Sequence, residues 1–168
     1  MTPIEYILRF VAPAAYALLP TRMQSTAATA MLVAIGLQES GFRARRQIGG
    51  SARGFWQFER AGVFGVMDHD RTNDVISRAL VALQYPHTID VEPAHEALAH
   101  NDVLAFCFAR CLLWTSPLAL GERSDARQAW TLYLDTWRPG KPREATWHAH
   151  YNASWMHVLD TRGGELRA

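Results

Sequence analysis

The chain has 168 residues, 49% of them apolar, which is enough to bury one substantial core within a single domain spanning residues 1–168. Lysine and arginine nearly balance aspartate and glutamate, so the formal net charge is +1, and no basic tract marks a nucleic-acid-binding protein. We expect a monomer that does not bind nucleic acid.

The first apolar run, residues 11–19, resembles the core of an export signal in composition. However, Glu5 offsets the charge of Arg9, Pro13 interrupts the run, and the run is far too short to span a bilayer. We therefore predict a packed first helix, no export signal and no stable membrane insertion.

Most of the chain has a helical pattern. Apolar residues recur at three- and four-residue steps, and sustained period-two alternation is nearly absent, which predicts an all-α fold. Thr21 and Gln24 have the spacing of a capping box, and the helix predicted to start there continues to Glu39, before Gly41. Such a helix would have about five turns.

The segment from residue 41 to residue 59 is the exception to this pattern. It predicts an irregular loop or a small hairpin, because its glycines permit backbone turns that other residues resist. Loops of this length in compact domains are often functional. Arginines crowd around its glycines, and they either contact an anionic polymer or form a solvated face. The segment contains Gly41, Arg43, Arg45, Arg46, Gly49, Gly50, Arg53, Gly54, Phe55, Trp56 and Phe58.

The sequence predicts four more helices. The first two of these are predicted from their N-cap residues and from the spacing of their apolar residues. One begins at Asn73 or Asp74 and runs to Tyr85, where Pro86 ends it. The other begins at Asn101 or Asp102 and is apolar on nearly every side through residue 113, as is typical of a helix in the middle of a globule. We expect it to be the central buried helix.

The C-terminal part predicts the remaining pair of helices. Ser124 or Asp125 caps one of them, which ends near the turn at residues 138–142. The last carries Trp147, Tyr151 and Trp155 at four-residue spacing. A stripe of this kind packs into a core more often than it binds a ligand.

The cysteines and histidines indicate no disulfide, metal site or cofactor. Cys107 and Cys111 stand four apart on one helix face, where a bridge would distort the backbone, so we expect buried thiols. His148 and His150 lie on different sides of a helix, which is unsuitable for a shared metal ion.

Glu39 is the candidate for chemistry. On a helix it shares a face with Ile35 and Leu32, and burial there, together with the negative end of the helix dipole, would raise its pKa. A carboxyl group that keeps its proton near neutral pH can protonate the leaving oxygen of a glycosidic bond. The alternative is a glutamate that ends its helix at the surface or pairs with Arg43. Sugar hydrolysis generally needs a second carboxylate, and none is obvious beyond Glu59 or Asp102.

Two short motifs extend this hypothesis. Gln38-Glu39-Ser40-Gly41-Phe42, followed by Gly50-Ser51-Ala52-Arg53-Gly54-Phe55-Trp56-Gln57, resembles the signature of the soluble lytic transglycosylases. In that family a Glu-Ser pair at a helix end is followed by Gly-Ala-x-Gly-Leu-Met-Gln. The resemblance covers about twenty residues, including the eighteen-residue interval between Glu39 and Gln57.

The resemblance implies a lysozyme-like fold, with a central buried helix and the glycine-rich loop beside a cleft. It implies that the substrate is bacterial peptidoglycan, cleaved at the β-1,4 bond between MurNAc and GlcNAc. Glu39 would act first as acid and then as base, leaving 1,6-anhydromuramyl ends. Gln57 would line the cleft and Gly54 would turn the loop. Trp56 would stack on a sugar or pack beneath the loop. The residues expected to contact substrate are Ser40, Arg53, Trp56, Gln57, Glu59 and Tyr133.

Two positions depart from the family pattern. Ile48 stands where the family has a loop serine, with Gln47 and Ser51 as possible substitutes, and the later Ala-Tyr-Asn motif is absent. Tyr133 is our substitute for the tyrosine that supports the acid; the alternative is a tyrosine that only packs in the core.

Two other functions stay open. One is a hydrolytic lysozyme in which Glu59 or Asp102 positions a water, and the other is a non-catalytic wall-binding or phage structural module. The divergent motifs and the missing export signal suggest a bacteriophage protein, made in the host cytoplasm or carried in the particle and acting in the periplasm or cell wall. That origin rests on analogy with the family.

Overall fold

The computed structural model describes residues 1–165 of the chain. This part of the protein is all-helical, and its only β pairing consists of isolated bridges, as the periodicity predicts. The helices are α1 (Pro3–Tyr6), α2 (Ala12–Leu18), α3 (Thr26–Glu39), α4 (Arg60–Asp68), α5 (Asn73–Ala82), α6 (Val91–Ala97), α7 (Asp102–Thr115), α8 (Ala126–Trp137) and α9 (Glu144–Glu165).

The N-terminal segment packs into the core, as predicted. A π-helical stretch, Ile7–Val11, joins α1 to α2, and Thr2 caps α1 through a reciprocal pair of hydrogen bonds with Glu5. Ile7 and Ala15 are fully buried. Within residues 1–165, no single helix is both long and apolar enough to cross a membrane, although α6 and α7 meet that test together as a pair bent by 118°.

Helix α3 starts later than the sequence indicates. Thr21–Met23 forms a single turn of 3-10 helix, and Gln24 donates its side-chain amide to the carbonyl of Tyr16. The N-cap is Ser25, whose hydroxyl accepts from the backbone of Ala28. The predicted capping box at Thr21 and Gln24 is therefore wrong. The predicted end is correct, since α3 stops at Glu39 and Gly41 has a φ of 60°.

Helix α5 ends earlier than predicted. Its last residue is Ala82, and Gln84 adopts a left-handed backbone with a φ of 66°. The amide of Tyr85 then reaches back to the carbonyl of Leu80, which closes the helix before the chain reaches Pro86. The short helices α4 and α6 on either side of α5 were not predicted.

Helix α7 lies in the centre of the molecule, as predicted. Asn101 caps its first turn through the amide of Leu104, and nearly all of its side chains from residue 104 to residue 111 are fully buried. Cys107 and Cys111 are buried and unpaired, and burial raises the pKa of the Cys111 thiol to about 12. The predicted buried thiols are therefore confirmed.

The last two helices bring the aromatic residues together. Asp125 caps α8, and α8 ends where Arg138 turns left-handed, in the predicted stretch. Trp147, Tyr151 and Trp155 of α9 are buried, which confirms the core reading of this stripe. Buried apolar residues from the π-helical stretch, from helices α2 to α9 and from the segment between α3 and α4 form one continuous core.

Candidate active site

Glu39 and Tyr133 meet where the end of α3 faces α8. The Tyr133 hydroxyl donates a hydrogen bond of 2.6 Å to Oε1 of Glu39. The other carboxylate oxygen, Oε2, accepts no hydrogen bond from residues 1–165. Among residues 1–165, the only buried side-chain nitrogen or oxygen without a hydrogen-bond partner is Nε1 of Trp155. Since Oε2 of Glu39 also has no partner, it must remain in contact with solvent. Glu39 thus has one oxygen held by the protein and one that is available.

Glu39 is half-buried, and its environment favours the protonated carboxyl. Burial is the largest influence and raises the pKa of Glu39, while the Tyr133 hydrogen bond and the charge of Arg143 oppose that rise. The surface alternative, with Arg43 as partner, is wrong: Arg43 lies exposed, and the partner of Glu39 is Tyr133.

Tyr133 is fixed by aromatic rings of its own helix, α8, and of α9. Its ring stacks on Trp147 of α9 at a centroid distance of 5.1 Å and on Trp137, one turn later in α8, at 6.4 Å. Trp130 packs against it from the preceding turn. Only 2% of Tyr133 is exposed. It is therefore both a core residue and the partner of Glu39, so the two readings of this tyrosine are compatible. Burial and the neighbouring carboxylate raise the pKa of Tyr133, which keeps its donating proton.

Ser40 fastens the glycine-rich loop to the end of α3. Its hydroxyl donates to the carbonyl of Phe55 at 2.7 Å and accepts from the amide of Phe42. The ring of Phe42 lies against Gly36 so closely that a Cβ there would stand 2.1 Å from it. The Glu-Ser pair thus couples the carboxyl group to the loop, and Ser40 reaches the loop backbone.

Gln57 occupies the turn after the buried part of the loop. It adopts a left-handed backbone with a φ of 50°, and its amide nitrogen donates to the carbonyl of Gly54 at 2.8 Å. A longer contact joins it to Ala44. The carbonyl of the preceding residue, Trp56, accepts a hydrogen bond from the indole of Trp137. Gln57 is therefore held beside the ring that stacks on Tyr133.

Trp56 is a core residue and cannot stack on a sugar. Its side chain is 0% exposed, and its indole nitrogen donates to the carbonyl of Leu32 inside α3. Phe55 also packs inward. The expectation that Trp56 binds substrate is wrong, because the loop turns this ring towards α3 and α7, where it meets Phe42 and Phe106 edge to face.

Three of the four loop arginines form salt bridges with acidic residues of other helices. Arg53 pairs with Glu96 of α6 and also donates to the carbonyl of Ser51, so it holds the loop in shape. Arg46 pairs with the same glutamate, and Arg45 makes a bidentate pair with Asp102. Arg53 therefore holds the shape of the loop, and its contact with substrate stays a prediction. Glu96 and Asp102 offset only part of the positive charge of the loop, so contact with an anionic polymer also stays a prediction.

The second carboxylate candidates differ in their surroundings. Asp102 is 8% exposed and is fully engaged by Arg45 and by the Tyr6 hydroxyl, so it is not available to position a water. Glu59 is exposed at the start of α4 and accepts a hydrogen bond from Ser51. The hydroxyl of Ser51, a possible substitute for the loop serine of the family, therefore binds Glu59. Ile48, at the loop tip, is 98% exposed and contributes no polar group.

A cavity of about 580 Å³ lies beside these residues, bounded by the loop, α4, the end of α7 and the end of α8. Gln57, Glu59 and Trp137 line it, together with Asp135 and Ser116, which hydrogen-bond to each other. Glu39 and Tyr133 are not among its lining residues. The cavity meets the Glu39 site at Trp137, whose ring stacks on Tyr133 and whose indole holds the backbone before Gln57.

A polar network behind Glu39 was not predicted. Gln38 is 2% exposed, and its amide nitrogen donates to the carbonyl of Arg143, while its oxygen accepts from Thr146 and His150. Arg143 returns a hydrogen bond of 2.5 Å to the carbonyl of Gln38. The one available signal was a glutamine next to a candidate acid on an apolar helix. Its partners lie more than one hundred residues away.

No protein-family model, curated protein or solved structure matches the chain. Within residues 1–165, no group of three or more histidine, cysteine, aspartate or glutamate side chains is arranged to hold a metal ion.

Proposed function

We propose that this protein is a lytic transglycosylase with a lysozyme-like fold, which cleaves peptidoglycan glycan strands at the β-1,4 bond between MurNAc and GlcNAc. The single observation that carries the proposal is the environment of Glu39. One of its oxygens is fixed by Tyr133, the other is available, and burial raises the pKa of the carboxyl group. Such a group suits proton donation near neutral pH.

In the proposed reaction Glu39 acts twice. Its Oε2 first gives a proton to the leaving glycosidic oxygen, and the bond between that oxygen and the muramyl anomeric carbon breaks. The resulting carboxylate then takes the proton of the muramyl 6-hydroxyl, while the oxygen of that hydroxyl forms a bond to the anomeric carbon. The product is a 1,6-anhydro ring, no water is consumed, and Glu39 is protonated again.

The surroundings of Glu39 support a single-carboxylate mechanism. Tyr133 donates only to Oε1, so it orients the carboxyl group without occupying the oxygen that would exchange the proton. Ser40 ties the loop to the same helix end, and Gln57 lines the neighbouring cavity, where a sugar of the strand would bind. Sites of this kind are generally concave with a few fixed polar groups.

A hydrolytic lysozyme is the second candidate, and Glu59 is the observation that favours it. Glu59 lines the same cavity as Gln57 and is exposed there, so it could hold a water against a bound sugar. In an inverting hydrolase the two carboxyl groups flank the bond with room for water between them. Asp102 offers no such role because Arg45 holds both of its oxygens.

Product analysis tests the proposal and separates the two reactions. Purified peptidoglycan is digested, the fragments are treated with borohydride, and their masses are measured. A transglycosylase leaves anhydromuramyl ends that borohydride does not reduce, whereas a hydrolase leaves reducible muramic acid ends. Reducible ends that disappear in Glu59→Gln would establish hydrolysis instead. Tight binding of peptidoglycan without fragments would favour a non-catalytic wall-binding module.

A further inference from the structure

Arg143 is an unpaired cation anchored next to the candidate acid. Arg143 directly precedes α9. Its guanidinium donates through Nη2 to the carbonyl of Gln38, the residue before Glu39. The Gln38 amide donates in return to the carbonyl of Arg143. This reciprocal pair of hydrogen bonds holds the arginine at the end of α3.

The rest of the Arg143 guanidinium faces outward. The side chain is exposed, and within residues 1–165 no carboxylate pairs with it and no other acceptor meets its remaining N–H groups. Three of the loop arginines contrast with it, because Arg45, Arg46 and Arg53 pair with Asp102 or Glu96. Glu39 itself is engaged by Tyr133.

An arginine also caps a helix C-terminus favourably, and this role needs only one of its donors. A guanidinium carries five N–H groups in a rigid fork that matches the two oxygens of a carboxylate. After the bond to Gln38, four remain beside Glu39. These four N–H groups are placed to bind an anionic group of a glycan strand in the site.

The inference rests on the proposed function, because the substrate decides which anion is near. The glycan backbone of a peptidoglycan strand is uncharged where each lactyl group is joined to its peptide stem. The free carboxylates lie on the stems. We propose that Arg143 binds a stem carboxylate, and so makes the protein select strands that carry peptide stems.

The test compares two ligands of the same shape. One is soluble, uncrosslinked, stem-bearing glycan strand, and the other is that strand after carbodiimide and ammonia have converted its carboxylates to amides. Dissociation constants are measured for Glu39→Gln, which prevents turnover, and for the same variant carrying Arg143→Gln. The matched control carries Arg127→Gln instead, an exposed arginine on α8 without an ion pair in residues 1–165.

We expect Arg143→Gln to weaken binding of the carboxylate strand about 10- to 100-fold, the usual range for a hydrogen bond to a charged group. Binding of the amidated strand should change less than about twofold, since the charged partner is gone there. Arg127→Gln should alter neither. An equal loss for both ligands would assign Arg143 a purely structural role, and no loss for either would remove it from binding; both results overturn the inference.

Cleavage of the native strand by the wild-type protein is measured in parallel, so that the two proposals can fail separately. If the wild type cleaves but Arg143→Gln does not discriminate between the ligands, only the stem recognition is wrong. If Arg143 discriminates but the wild type releases nothing, the enzymatic function is wrong and carboxylate recognition stands. If Glu39→Gln binds neither ligand, stem recognition is overturned.

Discussion

Tyr133 donates a 2.6 Å hydrogen bond to Glu39, joining two residues that lie 94 positions apart in the chain. The contact joins the end of α3 to the middle of α8, and the stacked rings of Trp137 and Trp147 keep the tyrosine in place. It fixes one oxygen of the carboxyl group and opposes part of the pKa rise that burial causes.

Tyr133→Phe should lower the cleavage rate roughly 10- to 100-fold, because the carboxyl group loses the contact that orients it. The hydrogen bond lowers the pKa of Glu39, so its removal raises that pKa further. Activity that needs protonated Glu39 should then persist to higher pH. A pH profile of kcat/KM checks the direction. Tyr151→Phe is the control, since its hydroxyl meets the carbonyls of Gly121 and Glu122 and should leave the profile in place.

Glu39→Gln should stabilise the fold near neutral pH. The pKa of Glu39 is higher in the folded protein than in the unfolded chain, where it is near 4.5. The contribution of this group to stability is therefore present at low pH and is lost as pH rises. Above both pKa values the fold carries a half-buried negative charge that glutamine lacks. Thermal unfolding should show a gain of a few degrees near neutral pH that disappears below about pH 4. A constant gain at all pH values, or one equalled by exposed Glu122→Gln, contradicts the assignment.

Ser40→Ala should cost about 1–3 kcal/mol of unfolding free energy, because the carbonyl of Phe55 loses its donor in a partly buried place. The loop should also lose its link to Glu39, so activity should fall more than the change in stability explains. Denaturant unfolding and initial rates measure the two effects. Ser154→Ala removes a buried hydroxyl that bonds within its own helix, and it should leave the rate of the folded protein unchanged.

Gly36→Ala should destabilise the protein by roughly 1–3 kcal/mol, since the new methyl group would overlap the ring of Phe42. Phe42 would be displaced, and the loop with it. Gly65→Ala in α4 is a matched change in a helix with open space around it, and it should be stabilising by about 0.4–1 kcal/mol. Equal effects of the two substitutions on denaturant midpoints would contradict the packing described for Phe42.

The sequence was informative where local rules decide the structure. Gly41 ends α3 because a glycine tolerates the left-handed turn, and Asn101 and Asp125 begin helices because their side chains reach free amides. The capping box at Thr21 failed because that stretch forms a 3-10 turn and Ser25 is the better placed cap. Local spacing cannot distinguish two such caps four residues apart.

Contacts between side chains that lie far apart in the chain could mostly not be predicted from the sequence. The sequence could not show the partners of the loop arginines, because Glu96 and Asp102 lie on other helices. Burial of Trp56 depends on the course of the loop, which no periodicity specifies. The sequence did not indicate a role for Arg143, because its partner Gln38 lies 105 positions earlier in the chain. The contact of Tyr133 with Glu39 was suggested only by analogy with the family.

The most direct measurement compares wild-type protein with Glu39→Gln on purified peptidoglycan, with mass analysis of the fragments released. We expect fragments with 1,6-anhydromuramyl ends from the wild type and a rate lower by about 100- to 10,000-fold from the variant, the contribution usual for a positioned general acid. The variant keeps the fold and an acceptor for Tyr133, so the loss reports on the missing proton donor. Equal digestion by both proteins would contradict the role given to Glu39.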